Sequence, residues 1–480
     1  MTVDDLGPQL DLEQAGIAEL AAAMTAGAIT SKELVEAYLA RIEALDRRGP
    51  AVHAVRCLAP DASEQATRLD EERRAGRVRG LLHGVPVLVK DNIDVAGLPT
   101  TGGALALEHS VPDRDADLVT RLREAGAVIL GKTNLTELAN FMTEGMPSGY
   151  SSLGGQVLNP YDASLTPCGS SSGSGAAAAL GLATVTVGTE TDGSIICPSE
   201  AMSLVGLKPS LGLVSGVGIL PIATSQDCAG PMCRTVSDAA TLLGALTGTG
   251  PSAYAGSLRL DALHGVRLAV PPCPDDLDAA DRELYEAALQ RMRDQGAETV
   301  ECAALPETDE TPVLVHEFAR DVDAYLARLP DGAPVRTMAE LAAWNDAHVA
   351  SALKFGQTYV VKALAVDHTT ADVAYRAHRA RDRAVAGEHG IDATLAAADA
   401  VAIVTPSWHG AGLSARAGYP SLTVPAGYRS VGRRPFGVTF LGPDRGEGTL
   451  LGIGFAFEQA SRLRRPVSEV NPSLLADPLS

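Results

Sequence analysis

Apolar residues recur at three- and four-residue spacing along GIAELAAAMTAGAITSKELVEAYLARIEALD, broken near Gly27, where Thr30 and Ser31 precede an acid in the manner of a helix cap. The pattern predicts two helices. LLHGVPVLVKDNIDVAG then carries a short run rich in β-branched residues that ends at Lys90, DADLVTRLREAG returns to helical spacing, and AVILGKTN reads as a strand. Such alternation predicts a sheet covered by helices. Pro, Asn and Ser mark a loop from Asn159 to Gly175, NPYDASLTPCGSSSGSG; AAAALGLA follows as a small-residue helix, and TVTVG as a buried strand that delivers the chain into GTETDGSI.

Between about Asp275 and Asp399 the spacing is mostly helical, as in DAADRELYEAALQRMRDQGA and TMAELAAWNDAHVASALKFGQTYVVKAL, before strands resume at AVAIVTPS and PFGVTFLG. We read a helical layer inserted into one α/β domain. The tail PVSEVNPSLLADPLS has too few apolar residues to build an element alone. No run approaches the roughly 20 apolar residues of a membrane span, and MTVDDLGPQL lacks the basic and apolar regions of a signal peptide, so a cytoplasmic location is expected.

Charge narrows the partners. With 39 basic against 59 acidic residues the net charge is −20, which repels phosphate backbones and anionic lipid. Neither nucleic acid nor membrane is an expected ligand. The seven cysteines (Cys57, Cys168, Cys197, Cys228, Cys233, Cys273 and Cys302) form no C-x-x-C pair, and Cys228 with Cys233 has no second half for a zinc site. Free buried thiols are expected.

Three places hold candidate chemistry. Lys90 ends an apolar strand in a chain with only six lysines; such a side chain is either desolvated or snorkels to the surface, the commoner outcome. CGSSSGSG sets Ser170, Ser171 and Ser172 between glycines, as a capping turn would, or as a turn whose hydroxyls relay protons. It also matches G-x-S-x-G with Ser171 as nucleophile, an elbow that requires a preceding strand, and YDASLTPC is none. Ser194 follows Gly193 just past a strand; it is either a helix cap or a nucleophile beside the amides of Thr191, Asp192 and Gly193, which can form an oxyanion-holding nest. No histidine abuts these loops, and His83 and His409 are the two that enter as candidate bases, each equally readable as structural. Ser351 and Lys354 match S-x-x-K by chance within an amphipathic helix.

Lys90, the serine-rich turn and Ser194 together resemble the amidase signature family, whose pattern is similar to G-G-S-S-G-G-S followed by G-T-D-T-G-G-S-I. The likeness runs on through LHGVPVLVKDNIDVAG, AGAVILGKTNLTELA, GLKPSLGLVS, SQDCAGPMCRTVSDAA and AGYPSLTVPAG. It implies a single α/β domain over 1–480, with a central mixed sheet covered by helices on both faces. Within it, a signature core would span about 80–245, a mainly helical insert about 275–399, and C-terminal strands about 400–460.

The resemblance further implies a Ser-cis-Ser-Lys triad: Ser194 as nucleophile, Ser170 as bridge after a cis peptide at Gly169, and Lys90 as base, with Thr191, Asp192 and Gly193 giving the oxyanion amides. The separation of 24 residues between Ser170 and Ser194 is that of the family pattern. Neither metal nor organic cofactor is implied, and the sequence leaves the oligomeric state open, with a homodimer as one assembly it allows. Two departures matter: the pattern usually has glycine at Asp192 and arginine at Ile196, and the lost cation argues against a small carboxylate substrate. TDGSI, KFGQ and GVTFLG look more similar to the subgroup containing peptide amidases.

A small-molecule or peptide amide is therefore the expected substrate, held by Met142, Gly145, Met146, Trp344, Gln357 and Trp408 in three segments that differ most from the motifs. Trp344 is equally readable as helix core. Three other functions compete. A binding or scaffold protein with a dead site is disfavoured because Lys90, Ser170 and Ser194 are all present. A glutaminase subunit of a transfer-RNA amidotransferase is disfavoured because LTELANFMTEG replaces the usual MDEFAMGSS-like wording after GKTN; an α/β-hydrolase esterase using Ser171 is disfavoured by the missing strand.

Overall fold

The runs at Pro86–Lys90, Val128–Thr133 and Val185–Glu190 are buried at every position. Continuous rather than alternating apolar character marks strands covered on both faces, and these three lie side by side and parallel. The computed structural model describes residues 10–307, 311–429 and 433–475; the opening MTVDDLGPQ and the closing ADPLS lie outside the described residues.

The strands are β1 (Val55–Leu58), β2 (Pro86–Lys90), β3 (Val128–Thr133), β4 (Tyr150–Ser151), β5 (Gly155–Gln156), β6 (Val185–Glu190), β7 (Val205–Lys208), β8 (Cys228–Cys233), β9 (Arg267–Val270), β10 (Glu298–Glu301), β11 (Ala402–Pro406), β12 (Ser421–Tyr428) and β13 (Pro435–Leu441). Eleven form one mixed sheet in the order β1-β3-β2-β6-β8-β7-β12-β13-β11-β9-β10, flanked by helices in a single domain; β4 and β5 pair separately. Parallel ladders join β3, β2 and β6 at one side and β11, β9 and β10 at the other, with antiparallel pairs between.

The two opening helices are Ile17–Thr25 and Ser31–Arg41. The second starts at a capping box: Thr30 Oγ1 accepts from Glu33 N at 3.1 Å, and Glu33 Oε2 accepts from Thr30 N at 2.8 Å. Two expectations need correction, and a third gains a detail: the mainly helical region around 275–399 also carries β10, a parallel edge strand beside β9. Its residues, Glu-Thr-Val-Glu, are too few and too polar to show a strand period. The serine-rich loop gives way to helix earlier than its composition suggests, at Ser172, and that helix ends at Ala179. The tail also builds two single turns, Val467–Val470 and Pro472–Leu475, by docking Val467 into the main core and donating Asn471 Nδ2 to Pro160 O at 3.1 Å.

Two apolar clusters bear on function. The main one lies around the sheet. The second joins Phe141, Met142 and Met146 to the helical region through Leu314, Phe318, Val322, Met338, Leu341 and Val360. Phe141 stacks on Tyr359 with ring centroids 4.3 Å apart and meets the edge of Phe318 at 5.0 Å.

Helix Ser172–Ala179 is small-residue throughout and wholly buried, so it approaches backbone rather than side chains. A Cβ at Gly173 would lie 2.3 Å from Asn134 O and 2.5 Å from Ala54 O, neither of which can swing aside. We expect Gly173→Ala to cost about 1–3 kcal/mol through overpacking and to lower the thermal unfolding midpoint. A calorimetric midpoint equal to wild type contradicts this packing.

Candidate active site

Parallel pairing of β2 with β6 in the register Val87↔Val185, Leu88↔Thr186 and Val89↔Val187 carries Lys90 to the level of Gly188 and Thr189. Both strands thus deliver polar residues to the same carboxyl edge, where open α/β sheets hold ligands. Lys90 is fully buried. Its Nζ lies 2.8 Å from Ser170 Oγ, 2.9 Å from Thr189 Oγ1 and 3.2 Å from Thr189 O. Burial lowers its pKa to about 7 against the opposing fields of Asp227 and Glu190.

Ser170 reaches that nitrogen from the serine-rich turn, and the Gly169–Ser170 peptide is cis. The next serine has a different task. Ser171 Oγ donates to Thr189 O at 3.0 Å and accepts from Thr189 N at 3.2 Å, which ties the serine turn to the end of β6. No strand immediately precedes it, so the elbow geometry is absent here. Gly188 is required by this closeness, since a Cβ there would lie 2.9 Å from Ser171 Oγ and 2.6 Å from Met232 Sδ.

Ser194 stands in the turn between β6 and helix Ile196–Ala201. Buried Glu190 shapes that turn by accepting from Ile195 N at 2.7 Å and Ile196 N at 3.0 Å. Burial raises the Glu190 pKa, opposed by Lys208 and these amides. Gly193 turns the chain with a φ of 71°, a region costly for other residues. Thr191 is held from both ends: its Oγ1 donates to Asp227 Oδ1 at 2.5 Å and its carbonyl accepts from Gln226 Nε2 at 2.9 Å. Asp227, whose pKa burial lifts to about 7, also accepts from Ile222 N and Ala223 N. Thr191, Asp192 and Ser194 line a cavity of about 240 Å³.

A family model described as Amidase matches residues 33–451. The chain belongs to the amidase family. It is similar in structure to native peptide amidase from Stenotrophomonas maltophilia, with a TM-score of 0.90 and 44% identity over 94% of this chain and 98% of the other. A protein of Arabidopsis thaliana named "Probable amidase" is 37% identical over 96% of this chain and 93% of its own. A glutamyl-tRNA(Gln) amidotransferase subunit from Halorhodospira halophila is 34% identical over 95% of this chain and 99% of its own. This amidase is accordingly an amide-hydrolysing enzyme.

The residues expected to hold substrate are divided by the fold. Gly145 and Met146 line the cavity beside Ser194, together with Phe141, Thr143, Glu144, Ile222, Leu314 and Tyr359. Met142 instead points into the second apolar cluster. Trp344 stacks on His348 with centroids 3.9 Å apart, and Gln357 is buried between Asn345 Nδ2 at 3.1 Å and Asp346 Oδ1 at 2.9 Å. Trp408 is 44% exposed, and its ring edge would lie 3.7 Å from a Cβ at Gly193. Sequence reasoning passed over Thr189, Glu190, Gln226 and Asp227, although all four stand within the quoted motif segments. It also passed over Leu314 and Tyr359, whose helical spacing marks them only as core.

Neither candidate histidine meets the buried lysine. His83 is buried, with Nε2 2.9 Å from Leu69 O and Nδ1 accepting from Arg79 N at 3.3 Å. His409 lines a separate cavity and faces Asp276 at 3.8 Å. Lys354 of the chance S-x-x-K match lies over the Tyr150 ring, 5.1 Å from its centroid. Among the described residues, no helix is long and apolar enough to cross a membrane.

The cysteine expectation is corrected for one pair. Cys168 and Cys197 form a disulfide across 29 residues, joining the turn of Ser170 to the helix that follows Ser194. Spacing alone gives no such pairing, because the fold brings the two turns together, with Ser171 N donating to Ser194 O at 3.3 Å. Cys57, Cys228, Cys233, Cys273 and Cys302 are free, as expected, but only Cys228 and Cys233 are buried; the other three are half-buried. Thiol titration of the denatured, unreduced chain should count five thiols, rising to seven after reduction; seven before reduction contradicts the link.

Proposed function

We propose that the chain is a serine amidase that cleaves the C–N bond of a carboxylic amide through an acyl-enzyme, with Ser194 as nucleophile, Ser170 as proton bridge and Lys90 as base. The observation that carries this reading is the Lys90 Nζ to Ser170 Oγ contact of 2.8 Å at a lysine whose pKa lies near about 7. A neutral amine has two N–H bonds and one lone pair. Thr189 O and Thr189 Oγ1 are placed to take the two N–H bonds, which leaves the lone pair for the Ser170 hydroxyl.

The proton of Ser194 passes to Ser170 as the hydroxyl of Ser170 gives its own to Lys90, and Ser194 Oγ attacks the amide carbon. The amides of Thr191, Asp192 and Gly193 receive the oxyanion. Lys90 returns its proton through Ser170 to the departing nitrogen, which leaves as ammonia or an amine. Water, deprotonated by the same relay, then attacks the acyl carbon, releasing a carboxylic acid and restoring Ser194.

The cavity favours a neutral amide over a carboxylate. No lysine or arginine stands among its described lining residues, whereas Glu144 and Asp192 do. Their counter-charges come from Lys362 and, at 3.5 Å, Arg416. With Phe141, Met146, Leu314 and Tyr359 as apolar walls, this supports a C-terminal peptide amide or another bulky amide, in keeping with the 44% identity to a peptide amidase. A panel of amidated peptides, aryl, fatty and short aliphatic amides tests the choice; turnover confined to short aliphatic amides, or seen only with a second protein present, contradicts it.

Ser194→Ala should abolish turnover and fluorophosphonate labelling with the fold intact. If Ser171→Ala does so and Ser194→Ala stays active, the nucleophile is misassigned. Because the Lys90 pKa is lowered, its neutral form dominates above about 7, so kcat/KM should rise with pH through that value and level off. Lys90→Ala should lose roughly 10²–10⁴ in rate and the pH limb with it, while His83→Ala and His409→Ala keep both. A Lys90→Ala enzyme with wild-type rate and limb rejects the mechanism.

A further inference from the structure

Away from the cavity, one group of three ligand-type side chains converges among the described residues: His316, His368 and Asp372. His316 lies on helix Thr311–Leu326; His368 and Asp372 lie one turn apart on helix His368–Arg383. His316 Nε2 is 3.1 Å from Asp372 Oδ1 and 3.3 Å from His368 Nδ1, and His368 Nδ1 is 3.8 Å from Asp372 Oδ1. Ligands at about 2.0–2.1 Å from a tetrahedral ion stand roughly 3.3 Å from one another. The triangle meets that spacing within half an ångström.

The surroundings hold it in this posture. His316 is buried and stacks on Tyr375 with centroids 4.2 Å apart and planes 6° from parallel. Tyr375 in turn donates to Glu317 Oε1 at 2.6 Å, so its ring fixes the imidazole plane. The nearby cation Arg320 is engaged by Asp321 at 2.7 Å and Glu317 at 3.4 Å. Arg376 approaches the other carboxylate oxygen, Asp372 Oδ2, at 3.8 Å and leaves Oδ1 to the histidines. The side chains of His368 and Asp372 are 37% and 45% exposed, giving an approach for an ion and a water as fourth ligand.

We propose that His316, His368 and Asp372 form a binding site for a divalent ion of the zinc class, separate from the amide chemistry. Two imidazole nitrogens and one carboxylate oxygen suit such an ion better than magnesium or calcium, which prefer oxygen alone. The site joins two helices, and the inner one borders the active site. Leu314 lines the cavity, Asp321 accepts from Thr224 N at 2.8 Å, and Glu317 accepts from Ser225 N at 3.1 Å, just before Gln226 and Asp227. A bound ion therefore pins a wall of the cavity to the outer helix.

The test uses untagged full-length chain freed of metal by a chelator and titrated with Zn²⁺ in a calorimeter. One ion per chain should bind and raise the thermal midpoint, and Co²⁺ should give the intense visible bands of a tetrahedral site. His368→Ala and Asp372→Asn, both at the surface, should each weaken Zn²⁺ binding by more than about tenfold and remove the midpoint shift. Their midpoints and kcat/KM without metal should match wild type. Absence of one-to-one binding, or binding and stabilisation undiminished in both variants, overturns the proposal.

Discussion

A lysine amine sealed from water with hydroxyls and a carbonyl at its nitrogen, and no carboxylate within salt-bridge distance among the described residues, is the constraint on which the active site depends. The same sheet shows the alternative. Lys132, equally buried one strand away, meets Asp91 at 3.2 Å and adds Thr100 Oγ1 and Pro99 O. That arrangement satisfies an ammonium. Lys90 has desolvation without a contact anion, the condition that drives an amine toward its neutral form.

The rest of the site follows from keeping that environment while bringing the turn of Ser194 to the same edge of the sheet. Parallel β2 and β6 end at the same edge, so one strand supplies the lysine and the other supplies the turn bearing Ser194. Buried acids are used as clamps: Glu190 holds the backbone N–H groups of Ile195 and Ile196, and Asp227 holds those of Ile222 and Ala223 together with the Thr191 hydroxyl. Their fields raise the Lys90 pKa, yet burial outweighs them. The disulfide from Cys168 to Cys197 adds a covalent tie between the two serine-bearing turns.

Much of this was legible in the sequence because its cause is local. The capping box at Thr30, the fully buried strands and the order of motif segments each lie within a few residues. What was missed depends on distance along the chain. β10 is visible only once β9 is there to pair with it, and the cysteine pair spans 29 residues. His316 and His368 stand 52 residues apart. The cavity walls failed for a related reason: Met142 and Tyr359 are both apolar residues on one packed face, and only the packing decides which turns inward. Trp344, conspicuous by its size, is spent on His348 instead.

The central claim is that Lys90 is neutral at working pH because it is buried. Lysine-selective ¹⁵N labelling tests it directly, since the chain has six lysines and the Lys90 Nζ signal is identified by its loss in Lys90→Arg. The account predicts a titration midpoint near about 7. A Lys90 ammonium that persists to the ~10.4 of the free side chain would contradict it.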